Sequence, residues 1–254
     1  MIKPLVSIIT PTKGRERLLP SIYSCVRSQD WPNIEWLIDD DGPTPSAFLG
    51  GSTDIRVKYY HSSSRRSVGT KRNHLVERSL GEYIVHFDDD DYYAPNYISQ
   101  LVSSLAERNA ECVKLSGFFI YDRTHEQFFY WDQTKAEGLH FVCKRGQPCH
   151  SIEISSQNSY KFSKFRLGFG FSYAYRRSLW NCVKFPDINF SEDLSFMTKA
   201  AESHSVILLP DRVGLCLHIM HGANLSGCFP QFIIPSFLMD VFFPQARAYF
   251  ANLR

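Results

Sequence analysis

The sequence predicts an α/β fold, with a mostly parallel central sheet flanked by helices and a mixed C-terminal half. Three observations predict it. Short β-branched apolar runs alternate with helically spaced segments over the first hundred residues; three of those runs end abruptly in polar clusters; and after Arg108 the alternation gives way to hairpin-like runs. A β-α-β-α order requires crossovers that place helices on both faces of a parallel sheet. Ligands in such sheets bind beyond the carboxyl ends of the strands.

The first run, "LVSIIT" (Leu5–Thr10), is closed by Pro11 and has the pattern of a buried strand. Leu18, Ile22, Cys25 and Val26 then share one helical face. "IEWLI" (Ile34–Ile38) is a second buried strand, ended by Asp39, Asp40, Asp41 and Gly42. "IRVKYYH" (Ile55–His61) alternates as a third, and "VGTKRNHLVERSL" follows as a helix carrying Leu75 and Val76. "YIVHF" (Tyr83–Phe87) is a fourth strand, and Pro95 opens a helix with Ile98, Leu101, Val102 and Leu105 on one face. Further on, "CVKLSGFFIYD" and "EQFFYWD" read as a hairpin or mixed sheet, residues 133–165 as loop, and "FGFSYAYRR" (Phe169–Arg177) as a strand entering a helix. "SEDLSFMTKAAES" reads as a helix capped by Ser191 with acidic residues in its first turn. "HSVILLP" and "VGLCLHIMH" are the last strand candidates.

The length of 254 residues suits one large domain or a domain with an appendage. A net charge of +2 with no separate basic block argues against a nucleic-acid partner. Seven widely spaced cysteines, an odd number, argue against a disulfide framework and for a reducing compartment. Cys143, Cys149 and His150 lack the spacing of a zinc knuckle. No uninterrupted apolar stretch of about 20 residues reads as a membrane span, and the N-terminal run is too short for a secretory signal. A cytoplasmic location is therefore expected. The aromatic tail, Phe229–Phe250, is expected to pack on its own core, form a homodimer contact, or rest on the cytoplasmic face of a membrane.

The chemistry is concentrated where the fourth strand ends in Asp88, Asp89, Asp90 and Asp91. Carboxylates about 5–6 Å apart repel by roughly 3 kcal/mol per pair at an effective dielectric of about 20. An isolated acidic run is usually a solvated loop. This one emerges from a buried strand at the ligand face of the sheet, which favours a hard cation: Mg²⁺, Mn²⁺ or Ca²⁺. Mg²⁺ and Mn²⁺ take one or two protein carboxylates and complete their shell with substrate phosphates and water. A divalent cation shared with a phosphorylated substrate is thus expected to supply the missing positive charge. The other strand ends fit a nucleotide: Asp41 can accept from a base N–H, and Lys71 and Arg72 can face a diphosphate near a helix start.

Taken in order, "VSIITPTKGR", "WLIDDDGP", "GTKRN", "GEYIVHFDDDD" and "SEDLSF" resemble the family 2 inverting nucleotide-sugar glycosyltransferases, over about residues 4–225. The resemblance implies a GT-A (Rossmann-like) fold in residues 1–228, with a nucleotide-binding half to about 110 and an acceptor half over about 111–228, followed by the tail at 229–254. It implies that Thr10, Pro11, Thr12 and Arg15 form the first nucleotide-binding segment. Asp41 would hold a uracil ring with Asp40 beside it, and Lys71 and Arg72 would lie near the diphosphate. Asp88, Asp89 and Asp90 match the DxD element, with Asp90 as principal metal ligand for Mn²⁺ or Mg²⁺, and Asp88 or Asp89 addressing the ribose or a metal-bound water. Asp193 matches the general base, beside Glu192. Two departures stand out: Asp39 replaces a usual apolar residue, and the fourth aspartate leaves the DxD register open by one position.

The resemblance also implies a histidine that completes the metal shell or contacts the diphosphate, for which His221 is the candidate, whereas His218, three residues earlier in a strand, should point to the other face. Phe169, Gly170 and Trp180 are candidates for the border of the acceptor pocket, where glycine admits close backbone approach and aromatics stack on sugars. The reaction expected is transfer of a sugar from a nucleotide-sugar donor, a UDP-sugar foremost, to a hydroxyl of a saccharide, lipid-linked or protein-linked acceptor, in polysaccharide or glycoconjugate synthesis. The alternatives are a nucleotidyltransferase, which would carry a Gly-rich, Lys-containing opening loop, and an idle sugar-binding protein, which would not need both Asp90 and Asp193.

Overall fold

The computed structural model describes residues 3–144, 147–222, 224 and 226–251. The nucleotide half is built from β1 (Val6–Thr12), α1 (Leu19–Ser28), β2 (Ile34–Asp40), α2 (Ala47–Gly50), β3 (Val57–His61), α3 (Val68–Arg78), β4 (Tyr83–His86), β5 (Tyr92–Tyr93) and α4 (Tyr97–Glu107). The second half contains β6 (Cys112–Asp122), β7 (Gln127–Asp132), β8 (Gly138–Val142), β9 (His150–Ile154), α5 (Tyr160–Ser163), β10 (Tyr173–Arg176), α6 (Arg177–Cys182), α7 (Glu192–Ser203), β11 (Val206–Pro210) and β12 (Cys216–Met220). A last edge strand, β13 (Phe232–Ile234), is followed by α8 (Met239–Phe242) and α9 (Ala246–Ala251).

The main sheet runs β13-β7-β6-β10-β4-β1-β2-β3. Strands β4, β1, β2 and β3 are parallel. β10 is antiparallel to both β4 and β6, so the sheet turns mixed there, as expected. β11 and β12 both run parallel to β6, and β5 pairs antiparallel with β12.

Side chains alternate between two apolar clusters along the central strands. Ile8, Trp36, Ile38 and Val85 pack with α1 and α4, while Ile9, Leu37 and Ile84 pack with Leu75 of α3 and Phe196 of α7 on the other face. Period-2 strands buried on both faces produce this arrangement. Each fully buried large apolar side chain contributes about 1.5–3 kcal/mol. Because β2 and β4 flank β1 on opposite sides, chain direction diverges beside β1, which opens a crevice beyond its carboxyl end.

The structure adds elements that the sequence pattern missed. Residues 133–165 hold the β8–β9 hairpin, with exposed positions on both strands, so alternation was weak. Ser191 stands at the N-cap position of α7 but does not cap it: it has φ 63° and no side-chain bond to the helix. The tail packs on its own core: Phe243 and Tyr249 meet the Tyr92 ring edge-on, and the Tyr249 hydroxyl donates to the Asp91 carbonyl at 2.7 Å. Its other side exposes Phe237 and Val241.

Asp211 fixes the turn into β12. It is fully buried and accepts from the backbone N–H groups of Val213, Gly214, Leu215 and Cys216 at 2.7–3.1 Å. Asp211→Ala would orphan buried donors, each worth about 1–3 kcal/mol. We expect a loss of at least about 3 kcal/mol in urea denaturation; a loss under about 1 kcal/mol would contradict this role.

Candidate active site

A cleft of about 810 Å³ opens beyond the carboxyl ends of β1, β2 and β4. It is bounded by Pro11, Thr12 and Arg15, by Asp41, Lys71 and Arg72, by Asp88, Asp89 and Asp90, and by Phe169, Gly170, Glu192 and Asp193. The three polar strand ends therefore converge as the topology requires.

In the acidic turn each carboxylate has its own counter-group. Arg72 Nη2 reaches Asp88 at 3.3 Å. Arg15 Nη1 lies 2.6 Å from Asp89 and 2.7 Å from Asp90. His221 Nε2 lies 3.1 Å from Asp90, and His218 Nδ1 lies 2.9 Å from Asp91. The Thr12 hydroxyl donates to Asp89 as well. The protein itself already brings counter-groups to the acidic turn, from the loop after β1, from α3, from β12 and from the turn beyond it. These partners come from four different parts of the chain, and no spacing rule links them.

Asp91 is fully buried and also accepts from Ile219 N–H at 2.9 Å, so it ties the turn to β12. That leaves Asp88, Asp89 and Asp90 lining the cleft. His218 is not on a face opposite His221. The strand ends at Met220, so period 2 does not extend to His221, and both imidazoles meet the acidic turn.

The carboxylates titrate differently. Burial, reinforced by the neighbouring aspartates and opposed by Arg72, pushes Asp88 up to about 7. Burial and Asp90 push Asp89 up to about 6 against Arg15 and Thr12. At Asp90 burial is outweighed by the His221 hydrogen bond and by Arg15, which hold it at about 2. Asp90 is therefore the carboxylate of the three that stays ionised most readily. His218 is pushed up despite burial by its contact with Asp91.

Lys71 and Arg72 are buried, on the first turns of α3. Lys71 Nζ donates to the Thr12 carbonyl at 2.7 Å and to Asp41 at 2.8 Å. Asp41 also accepts from Arg66 N–H at 3.0 Å, and these bonds hold its carboxyl below the usual range although burial opposes them. The departure at Asp39 is compensated locally: its buried carboxylate meets Arg66 at 2.8 Å and His74 at 2.6 Å.

Arg72 links the acidic turn to α7. Besides Asp88 it reaches Glu192 at 3.3 Å and lies against His86, whose Nδ1 donates to the Gly170 carbonyl at 2.7 Å. Burial and the adjacent guanidinium depress His86, which keeps the ring neutral with its proton on Nδ1 toward Gly170. Burial raises Glu192 against Arg72. Asp193 sits beside it, its Oδ2 accepting from Gly170 N–H at 2.6 Å. A Cβ on Gly170 would lie 2.8 Å from the Asp193 Cβ, so only glycine permits this approach. Phe169 and Ser191, with φ 70° and 63°, are left-handed positions on either side of the carboxylate. Such conformations persist only where the surroundings enforce them.

Three expected positions are corrected. Thr10 is buried and its hydroxyl accepts from Trp36 Nε1 at 2.9 Å: it shares a face of β1 with Thr12, but only Thr12, at the end of the strand, reaches the cleft. Asp40 accepts from the backbone N–H groups of Gly14 and Gly42 and from the Tyr59 hydroxyl, so it shapes two loops and does not line the cleft. Trp180 lies in α6 against α3, donating to Asn73 at 2.9 Å, away from the cleft. Sequence reasoning missed Arg65, Arg66, Asp187, Asn189 and Phe190, which line the cleft from two loops. The basic pair after β3 was a usable signal, since it lies beyond a strand end. Residues 187–190 carry none.

The sequence model described as "Glycosyl transferase family 2" matches residues 7–171. The chain belongs to this family. The putative colanic acid biosynthesis glycosyl transferase WcaA of Escherichia coli (strain K12) is 34% identical over 100 residues, covering 38% of this chain and 36% of its own. Glycosyltransferase GlyG of Streptococcus pneumoniae serotype 4 is 26% identical over 133 residues, covering 50% and 43%. This chain thus spans less than half the length of these relatives. Among solved structures, S. aureus TarS 1-349 in complex with UDP superposes with a TM-score of 0.62 at 17% identity, over 85% of this chain and 60% of that one. The mannosyltransferase PcManGT from Pyrobaculum calidifontis, in complex with GDP-Man and Mn²⁺, gives 0.57 at 17% identity, over 86% and 57%. The fold is the GT-A type, as the sequence motifs implied.

Arg15→Ala would leave Asp89, which is 3% exposed, without its cation. Breaking a buried pair costs about 3–5 kcal/mol, and the 32% exposure of Arg15 places the expected loss near the lower end, about 3 kcal/mol by urea denaturation. An unchanged midpoint would show that Thr12 and solvent suffice.

Proposed function

We propose that this family 2 chain transfers a sugar from a nucleoside-diphosphate donor, a UDP-sugar, to an acceptor hydroxyl with inversion, in polysaccharide or glycoconjugate synthesis. The observation that supports this best is the placement of Asp193 in the same cleft as Asp41 and the Asp88–Asp90 turn. One group can hold the base, one the phosphates and one can take the acceptor proton.

Asp41 would accept from the uracil N–H, with Lys71 and Arg66 fixing its orientation. The S. aureus TarS 1-349 structures with UDP and with UDP-GlcNAc are consistent with that donor class. Thr12 and Arg15 would border the donor beside the acidic turn. Arg72 is committed to Asp88, Glu192 and His86, so its part is to hold the two halves of the site together.

Among the described residues no three His, Cys, Asp or Glu side chains are grouped closely enough to enclose an ion. The donor set still fits Mg²⁺ or Mn²⁺: a carboxylate held ionised, an imidazole beside it, and an open side facing the cleft, where phosphate oxygens would complete the shell. Asp90 and His221 would hold the ion, with Asp88 or Asp89 next to it. When bound, it would stabilise negative charge on the departing diphosphate.

Asp193 would take the acceptor proton. Its carboxylate is half-buried at the start of α7 and is oriented by Gly170 N–H and by its neighbour Leu194 N–H at 2.7 Å. Both bonds fix the carboxylate next to the place where the acceptor hydroxyl would lie, and that positioning is its contribution.

Asp193→Asn should leave UDP affinity unchanged and lower turnover at least about 10²-fold. Near-normal turnover would remove Asp193 as the base. Asp41→Ala should narrow the gap between UDP and GDP affinities measured by calorimetry, and an unaltered gap would place base recognition elsewhere. Gly170→Ala should reduce turnover by a larger factor than it raises KM, because the added methyl displaces Asp193; equal effects would show a general loss of the cleft.

A further inference from the structure

A second cavity, of about 430 Å³, is bordered by α7, whose first residues also border the cleft. It is bounded by Gln133 after β7, by Lys164 and Arg166, and by Leu194 and Thr198 of α7. Leu194 follows Asp193 directly, so the two cavities flank the start of one helix.

The wall chemistry is selective. No lining residue is acidic, and Lys164 and Arg166 are exposed there with no carboxylate partner among the described residues. Gln133 is 4% exposed. Its Oε1 accepts from Lys114, a fully buried lysine on β6 that burial pushes down to about 7 against the attraction of Asp193. With Oε1 facing Lys114, Gln133 Nε2 is left as a donor with no partner among the described residues. A buried unpaired donor is costly and calls for a ligand or water. The hydroxyl of Thr198 and the apolar side of Leu194 complete a surface suited to a sugar ring.

We infer that this cavity is an acceptor subsite that binds an anionic sugar unit, one carrying a carboxylate or a phosphate, remote from the hydroxyl that is attacked. Lys164 and Arg166 pair with the anion, and Gln133 donates to a ring or hydroxyl oxygen. The inference rests on the glycosyltransferase reading and adds the class of acceptor: an acidic saccharide.

Calorimetry on the full chain saturated with UDP tests it with a galacturonic acid trisaccharide, its neutral methyl ester, and glucose 6-phosphate. The acidic trisaccharide or the sugar phosphate should bind at least about tenfold more tightly than the ester, as expected for charge-assisted bonds. The tighter of the two identifies the anion. Lys164→Ala with Arg166→Ala should abolish that preference while UDP affinity stays as in the parent chain. Gln133→Glu, which keeps an acceptor for Lys114 but replaces the donor with an anion, should weaken acid binding similarly. Equal binding of acid and ester, or a preference that survives the double substitution, would overturn the subsite. Failure of UDP to bind the parent chain would count against the donor reading instead, and the acid-against-ester comparison without UDP would still decide the cavity.

Discussion

Four consecutive carboxylates at the end of a buried strand can be held only if each finds its own counter-charge, and the rest of the site follows from that constraint. Arg15 comes from the loop after β1, Arg72 from α3, His218 from β12 and His221 from the turn beyond it. Satisfying the turn therefore draws four separate segments to one place. The partners also sort the carboxylates by role. Asp91 is consumed in holding β12 and the tail, while Asp90 is kept ionised at the cleft.

The same economy of contacts connects the turn to Asp193. Arg72 is buried between Asp88 and Glu192, with the neutral ring of His86 packed against it. Gly170 lies against both Arg72 and Asp193, so the loop that bounds the acceptor side is registered to the acidic turn through one guanidinium. A buried charge with incomplete partners is strongly unfavourable, which makes this arrangement intolerant of small displacements. The left-handed residues Phe169 and Ser191 store some of the backbone cost of that fit at the site itself.

Much of this was legible in the sequence because it rests on local periodicity. The parallel strands and their helices follow from apolar spacing, and a parallel sheet fixes where its strand ends lead, so Asp41, Asp88–Asp90 and Thr12 could be placed together. What failed was of two kinds. His218 was misplaced because strand phase is lost where a strand ends, and Thr10 because, although it shares a face with Thr12, it lies two residues back inside the sheet against Trp36. Trp180 and the partners of the aspartates depend on contacts between distant segments, where composition gives no guide, whereas Arg66 follows the end of β3 and was a signal left unused. The β8–β9 hairpin was unreadable because its exposed faces erase alternation, and residues 187–190 bound the cleft with no pattern of their own.

The central claim is that the acidic turn is preserved by protein cations in a form that receives a divalent ion together with a nucleoside diphosphate. Titration of UDP into the full chain, once with Mn²⁺ and once with a chelator, tests this most directly. The account predicts at least about tenfold tighter binding with Mn²⁺, since ion and diphosphate would share one shell. Identical affinity under the two conditions would contradict it and leave the aspartates as a purely structural junction.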